Sequence, residues 1–346
     1  NLPNDYPRRV LQTLSVEGQV MIDVGWLSSV LSGAVAAGTV FLLASLGETY
    51  AERSGVLNLG MEGMMIMGAA ISFIFTNALG HGAALAAAAL VGLVLGLSHA
   101  VFTVSLKLNQ IVVGLAYTIL GLGLSGLITA ADIRRRIILA LNPETPERLI
   151  ITQEAAKLPT TPIPVLKDVP VLGPMFFTHN VLVYLSLALS LLMWFVLFRT
   201  RFGLSLRSCG ENPSMADTLG VNVYLIRYIS MGICGALGSL AGAYLFIGYQ
   251  AFWVEGMTQG RGFISLALVI LATWSPLRAI LGAYLFGGVE TLQFRLQVMG
   301  VAAQLPQFLL MLPYIVTIIA LTLLSVESVR KRIGVPAALG IPYSRE

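Results

Sequence analysis

Long apolar stretches separated by short polar ones run along most of this 346-residue chain. The apolar stretches lie at 24–47, 56–79, 82–106, 109–131, 180–198, 225–249, 262–274, 278–297 and 306–326. Within them apolar residues follow one another continuously instead of alternating with polar residues, and runs of about 20 such residues are typical of transmembrane helices. A backbone inside lipid must satisfy its own hydrogen bonds, so this pattern predicts helices and argues against a β-barrel.

The pattern predicts an all-α fold, a polytopic integral membrane helical bundle with about nine transmembrane helices, within a range of about eight to ten. Two stretches leave the number open. The stretch 56–79 is interrupted by polar and glycine residues between 58 and 63, and 262–274 is short for a full crossing. Irregular backbone is tolerated at membrane depth where it lines a cavity, so either stretch is a candidate for a broken or re-entrant helix.

Polar segments divide the chain into three parts. We expect an N-terminal polar segment at 1–23, a transmembrane domain at 24–326 and a tail at 327–346, with polar loops at 132–179 and 199–224. The first 23 residues are too polar to hold the apolar core of a secretory signal peptide. Seven prolines in the first loop predict that most of it forms no long helix.

Basic residues predict the orientation in the membrane. Three arginines lie in the 199–224 loop, and the tail carries a basic cluster at 330–332. Short loops rich in Lys and Arg stay in the cytoplasm, so we expect this loop and the C-terminus to be cytoplasmic and the 132–179 loop to lie outside. The arginines at 134–136 argue against this arrangement. A total of about nine spans would place the N-terminus outside.

Composition agrees with a membrane protein. Charged residues make up only 11% of the chain and hydrophobic ones 56%, whereas a soluble domain carries about 25% charged residues. The net charge of +4 fits basic cytoplasmic loops, and we expect no nucleic-acid partner. Cys209 and Cys234 are too few for a disulfide framework, so we expect buried or spare thiols.

No sequence feature predicts catalysis by this chain. The P-loop pattern GxxxxGK[ST] and the zinc pattern HExxH do not occur, and the three histidines are scattered. There is no Ser/His/Asp grouping either. The sequence therefore predicts no catalytic residue, no metal site and no ATP site of its own.

The segment 203–223 predicts a short helix in the second polar loop. Asn212 is a favoured N-cap, Pro213 suits the first helical position, and Gly220 is a natural terminator. Met215 and Leu219 are four residues apart and share one face. Such a helix is either an ordinary part of a cytoplasmic loop or a docking element for a partner, and these residues alone leave both open.

Polar residues inside the apolar stretches are candidates for lining a solute pathway. Asn58 and Glu62 stand four apart near the start of the second stretch. An ionisable group in a membrane segment is costly and suggests a function. Three roles stay open for Glu62: capping of a helix start, a structural polar contact between helices, or a place in the pathway. Asn109 and Gln110 either cap a helix or face the same pathway.

Residues 252–261 combine aromatic and charged side chains on the expected outer side. Phe252 and Trp253 either stack on a base or anchor the chain at the membrane interface. Glu255 and Arg261 either form a local ion pair or lie where a solute enters or a binding protein docks.

These segments resemble permease subunits of bacterial ABC importers of the ribose and nucleoside type, and most closely the nucleoside permeases. The resemblance covers most of 27–326 and is weakest in 1–23 and 132–160. The matching residues of the cytoplasmic loop are Leu206, Arg207, Gly210, Glu211, Asn212, Pro213, Ala216, Gly220 and Asn222. Cys209 and Met215 depart from the Val and Ala of that pattern, but neither change removes the cap or the turn.

The resemblance implies the ABC importer permease fold, in which this loop helix enters a cleft on an ATPase subunit. The residues that it implicates in coupling are Arg207, Gly210, Glu211, Asn212, Pro213, Met215, Ala216, Leu219 and Gly220. Those that it implicates in a translocation pathway are Asn58, Glu62, Asn109, Gln110, Phe252, Trp253 and Glu255. ATP and Mg are expected on the ATPase, and no cofactor is expected in this chain.

The resemblance also implies inward transport of a nucleoside, or of a simple sugar, across the bacterial cytoplasmic (inner) membrane by alternating access. The expected partners are an ATP-binding subunit, a second permease subunit in a heterodimer, an extracytoplasmic substrate-binding protein or lipoprotein, and the lipid bilayer. The alternative is a secondary transporter or channel driven by an ion gradient, which predicts paired intramembrane charges, and the sequence has few. An intramembrane enzyme would need a nucleophile or metal cluster in the spans, and the sequence shows none.

Overall fold

The structure is a computed structural model that describes residues 24–155, 157–164, 166–169, 171–300, 306–324 and 334–345. The predicted N-terminal polar segment and the basic cluster of the tail lie outside these residues. The described part is helical, and within it the extended segments form only two isolated β-bridges, Glu154 with Phe252 and Thr160 with Asn180. The predicted all-α fold class is confirmed.

Fifteen α-helices, α1 to α15, follow one another in the described residues. Their bounds are Val24–Arg53, Met61–Leu79, His81–Ala100, Gln110–Thr129, Ala131–Leu141, Glu147–Ile151, Leu172–Phe176, Val181–Arg199, Arg201–Glu211, Pro213–Thr218, Val223–Tyr244, Arg261–Leu271, Pro276–Val298, Pro306–Leu310 and Leu312–Leu324. Short π-helical segments extend α3 over Val101–Ser105 and α11 over Leu245–Gln250.

Six helical segments of the described chain are long and apolar enough to cross a membrane. They are α1, α2, α3 with its extension, α4, α8, and α11 with its extension. Two shorter apolar helical segments correspond to α12 and to α14 with α15. The predicted total of about nine spans stays a prediction.

The centre of the bundle consists of α1, α2 and α11, whose residues are mostly buried. Around them α3, α4 and α8 expose many large apolar side chains. Helices approach the central α11 and each other closely because small residues face the neighbouring backbone. A Cβ at Gly92 or Gly96 of α3 would collide with α11, and one at Gly242 of α11 with α2.

The first helix is longer than its apolar stretch. It runs on to Arg53 instead of ending at 47, so Glu48 and Glu52 lie one turn apart on a helix and are both buried. Each carboxylate has partners: Glu48 accepts hydrogen bonds from Asn58 and Cys234, and Glu52 accepts one from the Trp274 indole. These partners explain why two acidic residues, expected in a polar connector, continue a buried helix.

The break in the second apolar stretch is present. Residues 57–60 are not helical, and α2 begins only at Met61. A corresponding irregular segment, 251–260, precedes α12, which has only 11 residues. Both stretches that the sequence marked as interrupted or short therefore contain a helix that begins after irregular backbone.

The 199–224 loop holds two helices, whereas only one short helix was predicted there. The additional helix, α9, starts where the Thr200 hydroxyl accepts a hydrogen bond from the Gly203 amide at 3.2 Å. It buries Leu206 and Cys209 on one face. The polar composition of the segment concealed this amphipathic pattern.

The two ends of the bundle carry different loops. At one end, α9 and α10 lie beside the end of α1 and the tail residues 334–345. At the other, the 132–179 loop contacts the end of α2, where Asn142 donates to the Ala78 carbonyl at 3.1 Å, and pairs with 251–254. The 199–224 loop and the tail residues 334–345 therefore lie at the same end of the bundle.

One of the three arginines at 134–136 has a structural role. Arg134 lies on α5, which ends before the first proline of the loop. Its side chain is buried, donates from Nε to the Ile150 carbonyl at 3.1 Å, and lies 5.1 Å from the centre of the Phe73 ring. This arginine takes part in the packing of the loop, which weakens its value as a cytoplasmic signal.

Candidate functional site

The first candidate site is the α9–α10 loop, hereafter the coupling loop. Asn212 caps α10, because its Oδ1 accepts a hydrogen bond from the Met215 amide at 3.0 Å, and Pro213 occupies the first turn. Gly220 follows the helix with a φ of +85°, a left-handed conformation that glycine adopts without strain. The predicted capped helix and its terminator are present.

The helix α10 has one anchored and one open face. Ala216 is buried among the apolar residues of the bundle, together with Leu206 and Cys209 of α9. On the open side, Met215 and Leu219 are 59% and 80% exposed. These two large apolar side chains, one on a short helix held from behind and one at its C-cap, make a suitable surface for a protein partner.

The coupling loop rests directly on the end of α1. Gly210 lies so close to the Arg53 carbonyl that a side chain would not fit. Arg53 in turn donates from Nε to the Trp274 carbonyl at 3.2 Å and from Nη2 to the Thr273 carbonyl at 3.4 Å. The end of α1 therefore connects the coupling loop with the turn between α12 and α13.

Two predicted coupling residues have local partners. The Arg207 guanidinium lies 5.2 Å from the centre of the Phe198 ring. The Glu211 carboxylate accepts a hydrogen bond from the Ala337 amide at 3.4 Å. Together with Gly210, these contacts place the amino-terminal part of the predicted coupling set against other parts of the chain.

Cys209 is a buried thiol behind the coupling helix. Burial raises its pKa to about 11, and the positive charge of Arg227 offsets part of that rise. The thiol is therefore neutral at physiological pH and acts as an apolar packing group. Both cysteines are free and buried, as expected from their number and context.

The second candidate site is the junction of α2 and α12, hereafter the helix junction. The Glu62 carboxylate accepts hydrogen bonds from the Gly260 amide at 2.8 Å and from the Gly262 amide at 2.7 Å. It is only 4% exposed. A carboxylate from the first turn of α2 thus caps the start of α12. Of the three roles considered for Glu62, the one present here is the structural polar contact between helices.

Arg261 has a different partner from the one considered. The alternative in which it pairs with Glu255 is wrong, because its Nη2 lies 2.6 Å from Oε1 of Glu290 in a buried ion pair. Its Nη1 also donates to the Met257 carbonyl at 2.9 Å. Glu255 is exposed. A single acidic residue in the apolar helix α13 was the available signal for Glu290.

Asn58 links the helix junction to the end of α1. Its Nδ2 donates to Glu48 at 3.2 Å, and its Oδ1 accepts from the Gly60 amide at 2.9 Å. The side chain is fully buried. Asn58 therefore fixes the irregular backbone just before α2. Its partner Glu48 was missed because it lies beyond the first apolar stretch, 24–47.

Asn109 and Gln110 lie at the start of α4. Asn109 caps that helix by accepting from the Ile111 and Val112 amides at 3.0 and 3.2 Å. Gln110 is buried, and its Oε1 accepts from the Leu57 amide at 2.7 Å. Both residues thus hold backbone near the irregular segment 57–60.

The predicted aromatic pair is divided between core and surface. Trp253 is buried and stacks on Phe73, with ring centres 5.5 Å apart and planes at 7°. Phe252 is 40% exposed. The structure brings Asn58, Glu62 and Gln110 into one region, while Phe252, Trp253 and Glu255 belong to the segment before α12.

The chain matches the family model described as branched-chain amino acid transport system / permease component over residues 29–321. A guanosine ABC transporter permease protein of Bacillus subtilis is 36% identical over 329 residues, which cover 92% of this chain and 97% of the relative. A nucleoside ABC transporter permease protein of Lactococcus lactis is 33% identical over 329 residues, covering 92% of this chain and 98% of the relative.

A protein of Haloferax volcanii that is named as a glucose ABC transporter permease is 36% identical over 349 residues, covering 93% of this chain and 99% of the relative. No solved structure matches the chain. Because the matches extend over nearly the whole chain, it belongs to the family of branched-chain amino acid transport system permease components, as a membrane-embedded permease subunit of an ABC transporter and not as an enzyme.

Proposed function

We propose that this chain is the permease subunit of an ATP-driven importer for nucleosides and that α10 is its coupling helix. The observation that carries the proposal is the form of α10, a capped helix anchored on one face that exposes Met215 and Leu219 on the other. ATP and Mg bind to a separate ATPase subunit, whose cleft receives this exposed face. The residues that we assign to coupling are Arg207, Gly210, Glu211, Asn212, Pro213, Met215, Ala216, Leu219 and Gly220.

The contacts behind α10 give a route for movement. A push on the coupling loop reaches the end of α1 through Gly210 and Arg53. From there Glu48 and Asn58 lead to the start of α2 and to Glu62. A displacement that begins at the ATPase would thus arrive at the helix junction, where two helices begin at irregular backbone.

The helix junction is a suitable wall for a translocation pathway. Transporters often build their solute sites from interrupted helices whose amino ends meet inside the bundle. Here α2 and α12 begin beside each other, and a cavity of about 280 Å³ next to them is lined by Arg261, Glu290, Gln293 and Tyr314 among others. We place the pathway beside Glu62, with Asn58 and Gln110 near it and the segment containing Phe252, Trp253 and Glu255 at its outer entrance. Alternating access then means opening this region first to the outside and then to the cytoplasm.

The nucleoside assignment is supported by the relatives from Bacillus subtilis and Lactococcus lactis. The Haloferax volcanii relative has the same identity as the guanosine permease and is named for glucose. This observation favours a simple sugar as the second candidate solute. Both solutes present a ring with several hydroxyl groups.

The complete importer would contain further chains. We propose a second permease in a heterodimer, an extracytoplasmic binding protein or lipoprotein that delivers the solute, and the bacterial cytoplasmic membrane as its location. The coupling loop and the C-terminus would face the cytoplasm, since the ATPase and its ATP are there.

The test is uptake by the complete complex in vesicles. Labelled nucleosides and sugars are offered separately, with ATP on the ATPase side. Leu219→Ser at the exposed end of α10 is compared with Leu204→Ser, the same substitution at an exposed position on α9. We expect ATP-dependent nucleoside uptake that falls about tenfold in Leu219→Ser, as removal of one apolar anchor from an interface predicts.

The outcomes separate the parts of the proposal. Uptake of sugars without nucleosides would keep the coupling mechanism and replace the solute. Equal uptake by Leu219→Ser, Leu204→Ser and the unaltered chain would contradict the assignment of α10 as the coupling helix.

A further inference from the structure

The C-terminal tail, residues 334–345, is docked on the coupling loop. The Ala338 amide donates to the Gly210 carbonyl at 2.8 Å, and the Ala337 amide donates to Glu211 at 3.4 Å. The Ala338 side chain is buried in this contact. Gly210 itself contacts the end of α1, so this backbone hydrogen bond fixes the position of the tail relative to the coupling loop and to α1.

The same segment also reaches the connector between α1 and α2. The Gly340 amide donates to the Gly55 carbonyl at 3.2 Å. Arg227 of α11 holds the connector and the tail together. Its Nε donates to the Ser54 carbonyl at 3.1 Å, and its Nη1 donates to the Ile341 carbonyl at 3.3 Å. The guanidinium is buried, so it serves these backbone carbonyls instead of water.

The last described residues return to the coupling helix. Arg345 Nε lies 3.0 Å from Oδ2 of Asp217, which is on α10. The buried Tyr343 ring packs against Tyr224 of α11, with ring centres 5.8 Å apart. Within 12 residues, the tail therefore touches α10, the start of α11, and the α1–α2 connector.

We propose that residues 334–345 form a strap that ties the coupling helix to the α1–α2 connector, and that Arg227 and Gly340 are positioning residues for energy coupling. This inference rests on the proposed coupling role of α10. When the ATPase displaces α10, the strap passes the displacement to Gly55, only three residues before Asn58 of the helix junction. Without the strap, α10 would act on the connector only through the contact of Gly210 with the end of α1.

Gly340 gives the most selective way to test the strap. Its φ is +76°, a conformation that most L-residues avoid and that Asn adopts more readily. The position where a Cβ would stand has no atom within 4 Å, so a substitution acts through backbone conformation and not through a clash. Gly334 is equally open and has no left-handed φ, which makes it the matched control.

The experiment compares Gly340→Val, Gly340→Asn and Gly334→Val in the complete complex in vesicles. Uptake rate, KM for the solute, and ATP hydrolysed per solute are measured. For Gly340→Val we expect a maximal uptake rate about five- to thirtyfold lower. A side chain at this left-handed position disfavours the docked tail, and the fraction of docked tail falls by about this factor. KM stays unchanged and more ATP is hydrolysed per solute, because the ATPase still binds but its movement is not transmitted. Gly340→Asn and Gly334→Val remain close to the unaltered chain.

A charge exchange provides the second variant set, in case Gly340→Val does not assemble. Asp217→Arg and Arg345→Asp each place like charges together at the end of the strap and should lower uptake about two- to fivefold, as expected for a partly exposed pair. The double variant restores the pair in reverse and should recover uptake and the ATP-to-solute ratio. Recovery is not expected if Asp217 acts only through the ATPase.

Two results would overturn the strap. One is a Gly340→Val complex that transports as well as Gly334→Val with the same ATP-to-solute ratio. The other is a double charge variant no better than its two single variants. Failure of the unaltered complex to show any ATP-dependent uptake would instead contradict the proposed function on which the strap rests.

Discussion

Glu62 shows how a single carboxylate joins two helices inside the membrane. Its two oxygens accept hydrogen bonds from the Gly260 and Gly262 amides. In Glu62→Gln one acceptor becomes an amide donor that faces another donor, which should lower the free energy of unfolding by about 2 kcal/mol. We expect a lower melting temperature in detergent and slower uptake, with Glu144→Gln, at an exposed loop position, as the control. Unchanged melting and uptake would exclude this role.

The Cys209 thiol predicts a pH dependence of chemical labelling. Because burial raises its pKa to about 11 from an ordinary value of 9.0, the thiolate fraction at neutral pH should be about a hundredfold smaller than that of an exposed cysteine. Alkylation by a maleimide, followed by mass spectrometry of the Cys209 peptide, should be slow at pH 7 and rise as pH increases toward 10. Rapid labelling at pH 7 in the native complex would contradict the buried position.

At the residue scale, local chemistry was predictable and remote partners were not. The Asn212 cap and Pro213 depend on neighbours within three residues, so the pattern sufficed. The Arg261–Glu290 pair joins positions 29 residues apart, and Glu255 was the nearer acidic candidate. Charge and spacing in the sequence do not show which helix faces which, so the wrong partner was considered.

At the scale of elements, the start of α12 packs closely against the start of α2. A Cβ at Gly262 would lie 2.5 Å from the Glu62 backbone nitrogen and 2.6 Å from its Cα, so Gly262→Ala should push α2 and α12 apart. At Gly288 of α13 the nearest atom, the Ala34 Cβ, is 3.6 Å away. We expect Gly262→Ala to destabilise by about 2 kcal/mol and Gly288→Ala to be tolerated, as measured by thermal unfolding of the purified complex. Equal melting temperatures would contradict the close contact of these helices.

The observed ends of the helices match the predicted ones only where the buried residues are also the apolar ones. The breaks before α2 and α12 were visible because glycine and polar residues interrupt the pattern. The last turns of α1 were not, because Glu48 and Glu52 are buried through hydrogen bonds that the pattern does not contain. The helix α9 was missed for the opposite reason, since its buried face is narrow and its composition polar.

At the scale of the whole molecule, the apolar runs predicted a helical membrane bundle and the loop motif predicted its family, and both are confirmed. The docked tail was not predictable, because backbone hydrogen bonds leave no pattern in the sequence and the side-chain partners of residues 334–345, such as Asp217 for Arg345, are distant along the chain. The number of spans, the solute and the sidedness remain predictions. The structure adds contacts that join the coupling loop to the end of α1, and Glu48 of α1 to Asn58 just before α2.

The most direct test of the central claim compares two driving forces in one preparation. Vesicles contain this chain with its ATPase, second permease and binding protein, and uptake of labelled nucleoside is measured with ATP and Mg on the ATPase side or with an imposed ion gradient and no nucleotide. The account predicts uptake that requires ATP and persists when ionophores abolish the gradient. Uptake driven by the ion gradient without nucleotide, and unaffected by Leu219→Ser, would contradict it.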